Sequence, residues 1–440
     1  MRICVWHTAA RKLPSQCRGV KCCRSFPERL IETRIGAMEF PAPAAPDETS
    51  LRLGRLARLR ASMKDFDLPA VVLHDPHNVR YATGARNMIP FLLRNPARYV
   101  FVPQEGPVVL FEFEGCEHLE KDNPAIDEIR NAKTVSYVAR GPLMADTAKA
   151  WARDIAGLMQ LHCPGERRLG LERIDAGAVE CLRDAGFEIH DAQAPVERAR
   201  AIKTPEEIIC SKRSVACVMA GEWKLRAAIR SGISENELWS VLHSHVIAND
   251  ADYIETRLLN SGERTNPWFQ ETGTRVLEAG DLIAHDTDVV GPHGYYADFS
   301  RSFLCGDGPP SATQKTLYRL AYEQVHHNMA LIKAGRSFRE ITEAAWVIPE
   351  AYYKRRYYLL MHGTGLTGEY PYIVQGADYD GGVNYDGIIE PNMVLSVESY
   401  IGHEDGGEGV KLEQQVLVTE QGIEVMSDFP FEAAFLSGEI

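Results

Sequence analysis

The sequence predicts an α+β protein of two folded domains, an alternating α/β domain followed by one in which long helices precede and separate long strands. Three observations predict it. Strand-like and helical runs alternate between residues 70 and 186, a full helix-start signal stands at Thr204, and five carboxylates sit in or beside apolar strand-like runs after residue 280. The 440 residues can bury a large core and exceed what one core usually serves. A content of 45% apolar and 25% charged residues is that of an ordinary folded protein. The expected division is a basic leader and linker over 1–49, a first domain over 50–199 and a second over 200–440.

Residues 1–37 are basic, with Arg2, Arg11, Lys12, Arg18, Lys21 and Arg24, and no acid precedes Glu28. Lacking an apolar core and a small-residue cleavage site, they are not a secretory signal. A start at Met38, with the leader disordered or absent, is expected; a transit peptide is the alternative. Pro41–Pro46 reads as a linker and Ser50–Lys64 as a basic amphipathic helix. Strands are expected at Ala70–Leu73, Tyr99–Val102, Val108–Phe113 and Arg168–Glu172. Helices are expected at Asp146–Leu161 and Ala176–Ala185, the second stopped by Gly186. This alternation is that of an α/β domain of about 150 residues.

Val196–Lys203 reads as the junction. Thr204 is then an N-cap, Pro205 the first helical residue and Glu207 the capping-box partner. Further helices are expected at Glu235–Ile247, Ala312–Ala334 and Phe338–Tyr353, and strands at Asp281–Val289, Tyr295–Leu304, Val394–Tyr400 and Val410–Thr419. Gly376–Gly387 reads as a loop or lid.

The net charge of −13 argues against nucleic acid, which needs a basic face, and no window reaches the roughly 18 apolar residues of a membrane helix. Of ten cysteines, Cys4, Cys17, Cys22 and Cys23 crowd the leader; the other six are scattered, as reduced thiols of a cytoplasmic protein are. A small-molecule substrate is the expected partner.

Asp286 and Asp288 lie two apart on one strand, so both point to one face. Gly291–Gly294 is a turn signal, and the returning strand carries Asp298, which a hairpin sets opposite the first two. Glu398 and Glu413 are likewise embedded in apolar strands. A buried carboxylate is very costly unless paired or bound to a cation, so these acids imply metal. With one imidazole, His362, the set suits two divalent ions of iron, manganese, cobalt or zinc. Such a pair can polarise a substrate oxygen and acidify bound water.

The order Asp286, Asp298, His362-Gly363-Thr364-Gly365, Glu398, Glu413 resembles the pita-bread metallopeptidase family of Xaa-Pro aminopeptidases, prolidases, methionine aminopeptidases and creatinases. Asn78–Gly84 and Ile202–Glu207 resemble the creatinase amino-terminal domain and the usual lead into the catalytic one. Glu255–Gly262, Arg264–Gln270 and the triplet Asp286-Thr287-Asp288 are similar to one branch, the lyases that split dimethylsulfoniopropionate into dimethyl sulfide and acrylate. The resemblance implies a pita-bread catalytic domain, a homodimer, and Asp286, Asp288, Asp298, His362, Glu398 and Glu413 as metal ligands. Two departures stand out. The second histidine of the peptidases is missing after His362, and Gly368 stands where the lyase branch has the aspartate that removes a proton.

A proton acceptor would then be Glu369, Tyr357 or a metal-bound hydroxide. Trp268 and Tyr357 are candidates to pack around a cationic sulfonium, and His403 is a candidate substrate contact in place of the missing histidine. Three functions follow in order: a metal-dependent lyase on dimethylsulfoniopropionate or a related small carboxylate, a hydrolase on the Xaa-Pro peptidase plan, and a metal-binding homologue that lost catalysis.

Overall fold

The computed structural model of the chain describes residues 38–376, 378 and 385–437. The basic leader with its four cysteines lies outside them, as do residues 377 and 379–384 of the expected loop or lid. Strand β1 (Ala70–Leu73), an unbroken apolar run, lies inside a six-stranded sheet. It pairs antiparallel with β2 (Tyr99–Pro103) and parallel with β5 (Arg168–Leu171). The sheet continues through β3 (Val109–Glu112) to β4 (Glu128–Asn131) on one side and to β6 (Glu188–Asp191) on the other.

Strands β1 to β3 are buried along their length because helices cover both faces. Trp151, Ile155 and Leu158 of the helix Met144–His162 meet Val72, Phe101 and Phe111. Leu51, Leu59 and Met63 of the helix Glu48–Asp65 meet Val71, Val100 and Val102. The edge strands β4 and β6 escaped the sequence, since each holds a single isoleucine among polar residues and leaves its ends exposed.

The expected junction is in part a helix, Gln193–Ala201, whose Val196 and Ala199 pack into the same core as Leu59. The Thr204 signal holds: the Thr204 hydroxyl accepts from the Glu207 amide at 3.3 Å, the Glu207 carboxylate accepts from the Thr204 amide at 2.8 Å, and the helix runs Pro205–Ala228. Serine boxes of the same kind start Glu235–Ala248, Ala312–Ala330 and Phe338–Ala344. The last was expected to continue to Tyr353. It stops before Pro349, which lacks an amide and disfavours helical geometry in the residue before it, and four helical residues resume at Glu350.

The two long acidic strands are each broken. Asp281–Val289 is β9 (Leu282–Asp286) and β10 (Val289–Val290); Tyr295–Leu304 is β11 (Tyr296–Ala297) and β12 (Ser300–Leu304). The hairpin survives, with Val290 opposite Tyr296 and Asp286 opposite Ser300. Its two parts enter different sheets: β10 and β11 join β7 (Tyr253–Ile254), whereas β9 and β12 join β8 (Leu259–Ser261). The change of sheet falls at Asp288, whose φ of 42° is left-handed.

A five-stranded antiparallel sheet completes the second half, in the order β14 (Gly368–Val374), β13 (Leu359–Thr364), β15 (Val394–Gly402), β16 (Gly409–Thr419), β17 (Gly422–Val425). Tyr318, Ala321 and Val325 of the helix Ala312–Ala330 share a core with Leu395, Val397 and Leu412 of this sheet.

Candidate metal centre

Strand ends and strand centres bring six side chains together. Asp286 closes β9, Asp288 lies in the break before β10, Asp298 lies between β11 and β12, His362 is central in β13, and Glu398 faces Glu413 directly across β15 and β16. All six are buried. His362 Nε2 lies 3.3 Å from Asp298, 3.4 Å from Glu398 and 3.8 Å from Glu413. Its Nδ1 lies 3.0 Å from the Gly363 carbonyl, a contact that fixes the ring and aims Nε2 at the acids.

Asp298, His362 and Glu413 form one group of ligand atoms within 4.8 Å of each other, and Asp286, Asp288 and Asp298 form another. Asp298 belongs to both. Asp298 Oδ1 and Glu413 Oε1 are buried without a hydrogen-bond partner among the described residues. Leaving two such oxygens bare is expensive, and a divalent ion satisfies them. The residues therefore fit oxygen-preferring divalent metal.

The electrostatics point the same way. Burial pushes the Asp298 carboxyl up to about 6, helped by Asp286 and Glu398 and opposed by His362. Asp288 is raised well above its usual range by burial and by Asp286 and Asp298, and Glu413 is raised likewise. Burial would depress His362, but Asp298 and Glu398 outweigh it and raise the imidazole. The acids hold more negative charge than their surroundings balance.

Polar residues outside the six fix their orientation. Tyr296 donates to Asp288 Oδ1 at 2.9 Å, and the Thr256 hydroxyl bonds the other oxygen. Ser300 Oγ lies 2.6 Å from Asp286 Oδ1 and 2.7 Å from Glu413 Oε2. Gln415 accepts from the Asp298 amide at 3.1 Å and donates to Thr364 at 2.9 Å. Lys411 lies among the acids themselves. Sequence reasoning missed all five, although Lys411 and Gln415 stand two residues either side of Glu413, and strand alternation puts them on its face.

A cleft of about 550 Å³ opens over the cluster, lined among others by Glu255, Phe269, Tyr357, Tyr358, Gly368 and Tyr372. Its volume suits a small molecule.

The pattern of metallopeptidase family M24 matches residues 210–420, and that of the creatinase/prolidase N-terminal domain matches residues 55–202. The chain is 37% identical over 398 residues to the dimethylsulfoniopropionate lyase DddP of Roseovarius nubinhibens, covering 89% of each chain. The chain belongs to metallopeptidase family M24. The lyase of the same name from Roseobacter denitrificans is 35% identical over 90% of this chain and 89% of its own. Among solved structures, the Xaa-Pro dipeptidase of Bacillus anthracis superposes with a TM-score of 0.69 at 23% identity, over 87% of this chain and 99% of its own. The prolidase of Pyrococcus horikoshii gives 0.68 at 20%, over 86% and 99%. The fold is thus a creatinase-type amino-terminal domain with the pita-bread catalytic domain of the M24 enzymes.

Several residues expected in the site of this M24 chain take other places. Glu369 is turned out of the cleft, with its carboxylate buried between Arg200 and Lys203. Arg200 also donates to Thr367 at 2.6 Å and to Asn78 at 2.8 Å. A carboxylate held by two cations and excluded from the cleft is not a base for this site. His403 is half exposed, stacked edge-on against Tyr352 and outside the cleft lining. Trp268 is buried against Tyr400 behind the cleft wall. Tyr357 does line the cleft, but the cation that both rings face is the protein's own Lys411, 5.2 Å from the Tyr357 ring and 5.8 Å from that of Trp268. Burial raises the Tyr357 phenol above its usual value. Gly368 opens onto the cleft: an added Cβ would meet only Tyr372 Oη at 3.7 Å and the His362 ring at 3.8 Å.

Proposed function

We propose that this M24 enzyme holds two divalent ions through Asp286, Asp288, Asp298, His362, Glu398 and Glu413. We further propose that it is a lyase, eliminating dimethyl sulfide from dimethylsulfoniopropionate or acting alike on a related small carboxylate. The observation that carries this is Asp288. It is the acid that marks the lyase branch in the sequence, and it lies in one group with Asp286 and Asp298. Full-length likeness to two proteins named as lyases supports the same reading. When bound, the ions supply electrophilic stabilisation of charge developing on the substrate carboxylate.

The cleft residues do the rest. Phe269, Tyr358 and Tyr372 line the cleft as aromatic partners for a sulfonium, each attraction worth about 0.5–2 kcal/mol. A base takes the proton next to the carboxylate, its electron pair forms the double bond, and the carbon–sulfur bond breaks with its pair on sulfur. With Glu369 tied to two cations, we assign the proton to Glu255, a cleft carboxylate outside the ligand set. Metal-loaded protein incubated with dimethylsulfoniopropionate should release dimethyl sulfide into the headspace, and Glu255→Gln should suppress it.

Gly368 favours a second reading, a hydrolase on the Xaa-Pro plan, since the lyase aspartate is absent. Release of an amino acid from an Xaa-Pro dipeptide, with no dimethyl sulfide, would establish it. The described cysteines are all free thiols, and no described helix is long and apolar enough to cross a membrane. We take the enzyme to act in the cytoplasm as a homodimer, which light scattering would check.

A further inference from the structure

Lys411 stands on β16 two residues before Glu413 and is completely buried. Its Nζ donates to Glu398 Oε2 at 2.6 Å, Glu413 Oε2 at 3.0 Å and Ser300 Oγ at 2.7 Å, and lies 3.2 Å from Asp286 Oδ2. The rings of Tyr357 and Trp268 lie beyond it.

The choice of oxygens is informative. Glu398 and Glu413 each give Oε2 to the lysine and turn Oε1 toward His362 Nε2. Asp286 gives Oδ2 to the lysine and Oδ1 to Ser300. One ammonium therefore fixes the outer oxygen of three carboxylates and leaves the inner oxygens of both glutamates gathered. Five carboxylates packed this closely repel one another unless cations intervene, and Lys411 is the lysine that the fold itself pairs with three of them.

We propose that Lys411 is a positioning residue, a built-in counter-ion that keeps the ligand set assembled and the fold intact before metal arrives. This rests on the metal-centre reading above. Its role should fade once divalent ions take over the charge, whereas plain packing would count equally in both states.

The test compares melting of chelator-stripped and Mn²⁺-loaded protein for the wild type, Lys411→Met and Lys411→Arg. Stripped wild type should melt cooperatively from a native fold. Lys411→Met should lower the melting temperature of the stripped protein by roughly 5–10 °C more than that of the loaded protein, and Lys411→Arg should recover most of the difference. A Lys411→Met protein that folds only with metal supports the proposal. Equal losses in both states overturn it, as does a Lys411→Arg protein no better than Lys411→Met. Should Lys411→Met fold in neither state, the same two melts of Lys411→Arg against wild type decide: a stripped Lys411→Arg that unfolds sinks the proposal, and one that melts as wild type sustains it. A wild type that Mn²⁺, Zn²⁺ and Fe²⁺ all leave unmoved overturns the metal centre and this proposal together. A wild type that shifts with metal, but no more or less than Lys411→Met, overturns the lysine's role alone.

Discussion

Glu369 and Asp298 are both carboxylates with 3% of their surface exposed, and the protein treats them oppositely. Glu369 is closed in by Arg200 and Lys203. Asp298 meets one imidazole and four other acids, and one of its oxygens has no hydrogen-bond partner among the described residues. A buried charge that the fold itself compensates is scaffolding; one left in deficit marks where something else must bind. Glu172 shows a third solution, accepting from Asn78 at 2.8 Å and from the Asp75 amide at 3.1 Å with no ion pair among the described residues. Burial and the neighbouring Asp75 push its carboxyl up to about 8, so a proton neutralises it.

The comparison breaks most sharply at Asp298. Asp298→Asn should empty the centre of metal and reduce activity to background while the chain stays folded; elemental analysis showing full wild-type content would remove the distinction. Next in size is Gly368→Asp, one residue from Glu369 but on the cleft. The open space there accepts the side chain, so in a Glu255→Gln background it should restore lyase turnover by about 10²–10⁴-fold with no loss in urea midpoint. Glu369→Gln strands two buried cations and should cost about 3–5 kcal/mol in urea unfolding, while metal per folded chain is unchanged. A drop in metal content would show that Glu369 belongs to the centre after all. The smallest effect, taken per pH unit, concerns Glu172. Its folded value lies above the ordinary 4.5, so the stability it contributes is complete below 4.5 and is lost as pH rises to about 8. Wild type should lose up to about 1.4 kcal/mol per pH unit across that window, and Glu172→Gln should lose none of it.

The sequence made the six-residue cluster legible because acids in apolar strands are conspicuous, and it made the capped helices legible because Thr204 and Glu207 signal locally. Strands β4 and β6 were not, since sheet edges need no apolar alternation. Glu369 misled because a single residue of register decides whether a side chain faces the cleft or the domain junction, and its cations, Arg200 and Lys203, lie more than 160 positions away. His403 and Trp268 misled similarly: proximity in sequence to ligand strands does not place a side chain in the cleft.

Asp288 carries both a carboxylate and a left-handed backbone, φ 42°, at the point where the hairpin changes sheets. Aspartate and asparagine adopt that conformation more readily than alanine, which pays roughly 1–2 kcal/mol for it. An alanine scan of the centre would therefore charge Asp288 with two losses, a ligand and a bend, and rank it above residues that contribute more to binding. Asparagine there removes the charge and keeps the bend, which makes it the substitution from which a ligand's contribution can be measured.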